Sequence, residues 1–267
     1  MKPIALICCV ILIAGCSVNK ARIDDSLKTY FDHQDVVGCF TFLNNKTGKV
    51  TVYNLQLDTS RNLPAQTFDV VSSLIGLETG RIADEKMMIE TDSVNASSPS
   101  AKINMSLEQA FRSGHGPYFR EVVRRIGKDT LQQWLDSLHY GNKAAGIRPD
   151  SFWLDNTLKV SPDEQLGMMK RLYFDQLPFQ KRSQQIVRDL MVREGDTRYT
   201  LAFKTGQGTI SPGKRAGWTI GWIEENKHPY FFALYIESDN PQKDLYATGM
   251  RILRDILSQY GFFKGNM

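Results

Sequence analysis

Cysteine is scarce: there are four in 267 residues, and Cys8, Cys9 and Cys16 fall within the first sixteen. Only Cys39 lies deeper, which excludes a disulfide-stapled scaffold. Its run, Gly38-Cys39-Phe40, is β-like, so a buried and inert thiol is expected. Charge of one sign is also lacking. With 33 Lys+Arg against 29 Asp+Glu the formal charge is +4, and no block of like charge stands out, so no nucleic-acid footprint is expected. The four histidines, His33, His115, His139 and His228, show no ligand spacing, and neither a metal nor a cofactor is expected. Gly (20) and Pro (10) are too few for a fibrous or disordered chain, and no repeat or low-complexity linker interrupts it. At 42% hydrophobic residues the chain can bury a sizeable core.

The longest apolar run, Ile4 to Ala14 behind the cationic Lys2, is too short to span a bilayer and reads as an export signal. Leu12-Ile13-Ala14-Gly15-Cys16 resembles the lipobox of bacterial lipoproteins, which implies cleavage before Cys16 and acylation of its sulfur. Several acyl chains on one residue would anchor the protein firmly. The expected organisation is a signal peptide over residues 1–15, a lipidated tether over 16–24 and a folded domain over 25–267, displayed at the periplasmic face or cell surface of a bacterial envelope.

Within the domain, Gly38–Leu43 and Val50–Asn54, joined by turn-forming residues, predict a β-hairpin. Tyr199–Phe203, Gly217–Ile223 and Tyr230–Ile236 predict three further antiparallel strands. Between these groups the period becomes helical, predicting helices over Tyr118–Ile126, Thr130–Leu138, Asp163–Tyr173 and Arg182–Val192, with a last helix over Lys243–Tyr260 ended by Gly261. Asp92–Ser100 reads as a loop. Strands at both chain ends around central helices predict an α+β fold, loosely an α/β sandwich. Its antiparallel sheet is built from both ends, with a helical lobe inserted. Pro64–Asp69 opens a further helix whose next eight residues carry no charge, so it must be buried between layers. The first turn, with Gln66 and Asp69, then opens where sheet and lobe meet, a place where pockets form.

Pro64-Ala-Gln-Thr-Phe-Asp-Val-Val-Ser-Ser-Leu-Ile-Gly-Leu-Glu-Thr-Gly80 resembles the active-site helix of class D (oxacillinase-type) β-lactamases, relatives of penicillin-binding transpeptidases. The likeness continues through Pro117, Arg124-Arg-Ile-Gly127, Tyr140-Gly-Asn142 and Phe152-Trp-Leu154 to Lys204-Thr-Gly206 and Gly217-Trp-Thr-Ile-Gly-Trp222. It covers roughly residues 25–260. The resemblance implies a serine β-lactamase/transpeptidase-like fold and a Ser-x-x-Lys pair, in which a carbamylated lysine activates the nucleophile. Here those positions are Gln66 and Asp69. The Ser-x-Val motif maps to Gly114-His115-Gly116, with Ser113 one residue away, and the carboxylate-anchoring arginine has no counterpart in Asn240–Ala247. Lys204, Thr205 and Gly206 persist, as does Trp153, the counterpart of the tryptophan beside the carbamylated lysine.

The expected cleft therefore comprises Gln66, Asp69, Ser113, His115, Trp153, Lys204, Thr205 and Gly206, with Asp69 pairing with Lys204 in place of the anionic carbamate. The leading expectation is a non-hydrolytic binder of a cell-wall peptide, a β-lactam or a protein partner. Two alternatives stay open: a serine hydrolase with a rearranged site using Ser113, and an envelope scaffold with a vestigial cleft.

Overall fold

The computed structural model describes residues 21–92, 102–148 and 150–263. The expected signal peptide, Cys16, most of the tether and residues 93–100 of the polar loop lie outside them.

In chain order the elements are β1 (Arg22–Ile23), α1 (Lys28–Asp32), β2 (Val37–Asn44), β3 (Lys49–Tyr53), α2 (Leu55–Asp58), α3 (Phe68–Glu78), β4 (Met88–Asp92) and β5 (Lys102–Ser106). There follow α4 (Leu107–Ser113), α5 (Gly116–Ile126), α6 (Lys128–Leu138), α7 (Pro162–Tyr173) and α8 (Lys181–Met191). The chain closes with β6 (Val192–Gly195), β7 (Tyr199–Ser211), β8 (Lys214–Glu225), β9 (His228–Ser238) and α9 (Leu245–Gln259). Seven strands form one sheet in the order β1-β3-β2-β9-β8-β7-β6, antiparallel except for the parallel β1–β3 pair. Strand β9 joins the N-terminal hairpin to the C-terminal strands, with Phe40 opposite Leu234 and Ile220 opposite Ala233.

The sheet is covered on both faces, and the period-2 alternation of its side chains feeds two cores. On β8 and β9, Trp218, Ile220, Trp222, Phe231, Ala233 and Tyr235 pack toward the helical lobe. Their neighbours Ile223, Tyr230, Phe232, Leu234 and Ile236 pack toward α9. With both faces buried the strands are nearly continuous apolar runs. Helix α9 presents Leu245, Ile252, Leu253, Ile256 and Leu257, all at most 2% exposed, on one stripe. Each such side chain contributes about 1.5–3 kcal/mol by leaving water. Asp244 caps this helix by accepting the Ala247 N–H at 2.9 Å. It therefore starts two residues later than expected.

Helix α3 is buried from Phe68 through Leu77, as its lack of charge predicts, and is entered through a 3-10 turn over Ala65–Thr67. The helix expected to reach Val192 stops at Met191, because Val192 extends to pair with Ala202. Helix α4 escaped the periodicity reading because it is only seven residues long. It is defined by a capping box, with the Ser106 hydroxyl accepting from Gln109 N–H and the Gln109 side chain accepting from Ser106 N–H. The β4–β5 pair was likewise unforeseen.

One buried acid lies away from the cavity described below. Asp58 is 3% exposed and its Oδ1 has no hydrogen-bond partner among the described residues. Burial, reinforced by the charge of Asp163, pushes its carboxyl up to about 7. A carboxyl held above its unfolded value favours the folded state fully only below about pH 4, and that contribution is lost as pH rises toward 7. Asp58→Asn should therefore gain about 1–2 kcal/mol over the wild type at about pH 8 and much less at about pH 5. Urea unfolding at both values measures this, and a gain independent of pH would contradict it.

Candidate functional site

A cavity of about 400 Å³ opens where β7 passes the start of α3, between the sheet and the helical lobe. The 3-10 turn contributes Gln66, α4 and its cap contribute Phe111, Arg112, Ser113 and Gly114, and β6 contributes Arg193. Strand β7 supplies Lys204, Thr205, Gly206 and Gln207, β8 supplies Trp218, and α9 supplies Leu245 and Tyr246.

The turn that carries Gln66 is held from several sides. Ala65 takes a left-handed backbone (φ 48), unfavourable for a residue with a Cβ by roughly 1–3 kcal/mol. It is fixed by its N–H donating to Trp153 O at 3.1 Å. Thr67 Oγ1 donates to Pro64 O at 2.6 Å and accepts from Gln165 Nε2 at 2.8 Å. Trp218 Nε1 ties the preceding residue, donating to Leu63 O at 2.9 Å. Strand β7 approaches so closely that a Cβ on Gly206 would stand 2.8 Å from the backbone nitrogens of Gln66 and Thr67. Only glycine allows that approach. Across it, the Gln207 N–H donates to Gln66 Oε1 at 2.7 Å, and Gln207 Oε1 accepts from Arg215 Nη2 at 2.7 Å.

Below the cavity floor Lys204 Nζ meets Asp69 Oδ2 at 2.7 Å, both side chains being 2% exposed. Lys204 Nζ also donates to Phe111 O at 3.0 Å and lies 4.3 Å from the centre of the Phe111 ring. Burial drives Asp69 up to about 6 against the pull of Lys204, and it drives Lys204 down against the pull of Asp69. Desolvation thus exceeds attraction for both partners.

The expected cleft residues separate into two groups. Gln66, Ser113, Lys204, Thr205 and Gly206 line the cavity together. Asp69 sits behind the wall and reaches the cavity only through Lys204. His115 is a correction: its Nε2 lies 3.1 Å from Thr91 Oγ1, it is 6% exposed, and it faces β4 rather than the cavity. The turn explains this, because Gly114 takes a left-handed conformation (φ 67) that ends α4 and aims the next side chain away. Trp153 is the second correction: it stacks on Phe68 with ring centres 5.5 Å apart and supports the 3-10 turn from behind. Ser113 Oγ lies 2.8 Å from Gln109 O and 3.4 Å from Ala110 O, donating to its own helix. Ser72 does the same toward Asp69 O, at 3.3 Å.

With this geometry fixed, comparison with known proteins is decisive. Residues 38–258 match the family model described as "Penicillin binding protein transpeptidase domain". The chain belongs to that family, within the class D β-lactamase and penicillin-binding superfamily. It is 30% identical to β-lactamase OXA-5 of Pseudomonas aeruginosa over 91% of this chain and 92% of that protein. It is 31% identical to regulatory protein BlaR1 of Bacillus licheniformis over 90% of this chain, but spans only 39% of BlaR1. The solved C-terminal domain of the Bacillus licheniformis BlaR penicillin receptor superposes with a TM-score of 0.82 at 31% identity, covering 91% of this chain and 97% of that domain.

This transpeptidase-family domain also places residues at the cavity that the sequence reading missed. Gln207 directly follows Lys204-Thr-Gly206, and Tyr246 lies in the stretch searched for an arginine, so both were within reach of sequence. Arg193 was not, because it sits at the α8–β6 junction where no motif marks it.

Proposed function

We propose that this chain is a non-hydrolytic binding protein of the penicillin-recognising superfamily, taking a β-lactam or a cell-wall peptide in the cavity between sheet and helical lobe. The observation that carries this reading is Gln66. A carboxamide with no nucleophilic oxygen holds the place at the start of α3, and its carbonyl occupies the Gln207 N–H. Asp69, one turn on, is committed to Lys204 and leaves no free base at that position. Ser113, the nearest hydroxyl in sequence to the degenerate motif, is turned into its own helix. Loss of one member of a catalytic unit already removes most of the rate, and this chain departs from the pattern at three positions. The likeness to a domain named as a penicillin receptor supports binding as the output. Export by residues 1–15 and a lipid anchor on Cys16, tethering the domain over 25–267, complete the reading and imply an extracytoplasmic location.

The test is incubation with benzylpenicillin followed by intact-mass measurement and calorimetry. Saturable binding without a covalent adduct, and no turnover of nitrocefin, is the expected result. A stoichiometric acyl adduct would replace this reading with the rearranged hydrolase.

A further inference from the structure

A second cavity, of about 250 Å³, lies on the α9 face of the sheet and is lined by Phe42, Asn44, Lys49, Thr51, Tyr230, Tyr260 and Phe262. Its rings are packed against one another: Phe42 lies 5.9 Å from Tyr230 and 5.0 Å from Tyr260, and Tyr230 lies 4.8 Å from Phe262. Phe263 extends the aromatic surface to Tyr199, at 5.0 Å. The Tyr260 hydroxyl has no hydrogen-bond partner among the described residues.

The register places this cavity at one end of the sheet. Tyr230 stands opposite Asn44, and Asn44 opposite Lys49, where β3 begins. Strand β1 runs parallel to β3 with Arg22 opposite Thr51, so the chain enters the sheet from this same end. Arg22 is close enough to Tyr260 to act electrostatically on its hydroxyl. Cys16 precedes Arg22 by six residues, which span about 20 Å when fully extended. An anchor on Cys16 therefore holds the aromatic end within about 20 Å of a bilayer.

The charges at this end suit such a surface. Arg22, Lys46, Lys49 and Lys227 are exposed and make no ion pair among the described residues. The acids nearby are occupied or covered. Asp24 accepts from Ser26, Glu194 pairs with Arg254, Asp196 pairs with Arg198, Glu224 accepts from the Tyr173 hydroxyl, and Glu225 is 2% exposed. The opposite end of the sheet carries a cavity lined by Asp32, Asp35, Glu237 and Asp239. The domain is thus polarised along its strands, cationic and aromatic where the tether joins and acidic at the far end.

We propose that this end of the sheet is a membrane-docking surface that rests on a bilayer containing anionic phospholipid. Aromatic side chains bury an apolar body at the headgroup level while keeping a polar tip wet, and exposed cations beside them add attraction to anionic headgroups. Docking in this sense fixes the orientation of the domain. Lys204 to Gln207 lie five to eight residues along β7 from this end, so the first cavity stays clear of the bilayer. The inference rests on the proposed anchor at Cys16, but not on what the first cavity binds.

The test uses the full mature chain in nanodiscs of phosphatidylcholine mixed with phosphatidylglycerol, in nanodiscs of phosphatidylcholine alone, and in detergent. Hydrogen exchange reads the contact and intact mass reads the acylation. Residues 44–51, 226–230 and 260–263 should be protected in the anionic nanodiscs, less in neutral ones, while 32–37 and 237–240 stay unchanged. The non-acylated Cys16→Ser chain should sediment with anionic vesicles and not with neutral ones. Its affinity should fall about fivefold for each of Lys46→Gln and Lys49→Gln, exposed positions whose replacement leaves the core intact. An acylated chain with no protection, or with equal protection at both ends of the sheet, would overturn the docking and leave the anchor standing. Loss of acylation with anionic-vesicle binding retained would remove the anchor and leave the docking surface standing. Protection of the same segments in detergent together with a dimer in analytical ultracentrifugation would assign the surface to a second copy and overturn the proposal.

Discussion

Asp69→Asn is expected to destabilise the protein by about 3–5 kcal/mol, because it leaves the buried Lys204 ammonium without its counter-charge. For a domain of this size that is a fall in melting temperature of roughly 6–20 °C. Lys204→Met should cost a similar amount by stranding Asp69. The double variant Asp69→Leu/Lys204→Met behaves differently. Both partners are pushed by burial toward their neutral forms, so holding the pair ionised is unfavourable relative to an apolar pair of similar volume. The double variant should therefore be at least as stable as wild type while losing the polar cavity floor. A thermal-unfolding double-mutant cycle measures this directly. Asp69→Asn within about 1 kcal/mol of wild type would show that the pair does not behave as a buried ion pair.

Phe68→Ala is the second large effect, expected at about 3–5 kcal/mol. Phe68 opens α3 at 1% exposure and meets three rings at once: Phe152 at 5.2 Å, Trp153 at 5.5 Å and Tyr140 at 6.0 Å. Removing it empties the space behind the strained 3-10 turn that presents Gln66. Two readouts should move together. Chemical denaturation gives the stability loss, and the near-ultraviolet circular dichroism of Trp153 should weaken as its stacking partner disappears. Phe68→Leu, which keeps most of the volume, should lose much less. Similar losses for Ala and Leu would mean that ring stacking rather than filled volume holds this layer.

The legibility of this protein in its sequence varied from element to element. The hairpin strands, the three C-terminal strands and helices α5 to α9 were readable because each writes its own period, over five to seven residues in the strands and nine or more in the helices. Helix α3 was readable from an absence, since eight residues without a charge after Asp69 have no place at a surface. Helix α4 and the strands β4 to β6 were not, being short pieces whose form depends on caps and on partners elsewhere. His115 and Trp153 were assigned to the right neighbourhood and the wrong side of a wall, because a motif fixes backbone position and not side-chain direction. Gly114 redirects the first and Phe68 holds back the second.

By itself the sequence determined the α+β class and the family, and it placed Gln66 and Asp69 in the first turn of the buried helix, since these depend on residue identity and local period. The tertiary structure alone decided which groups meet. Gln66 and Gln207 are 141 positions apart and touch only because Gly206 lets β7 graze the start of α3. Arg193 became a cavity residue only when the sheet edge closed over α4. Such long-range contacts are set by strand register and by the packing of two cores, and no local pattern in the chain encodes them.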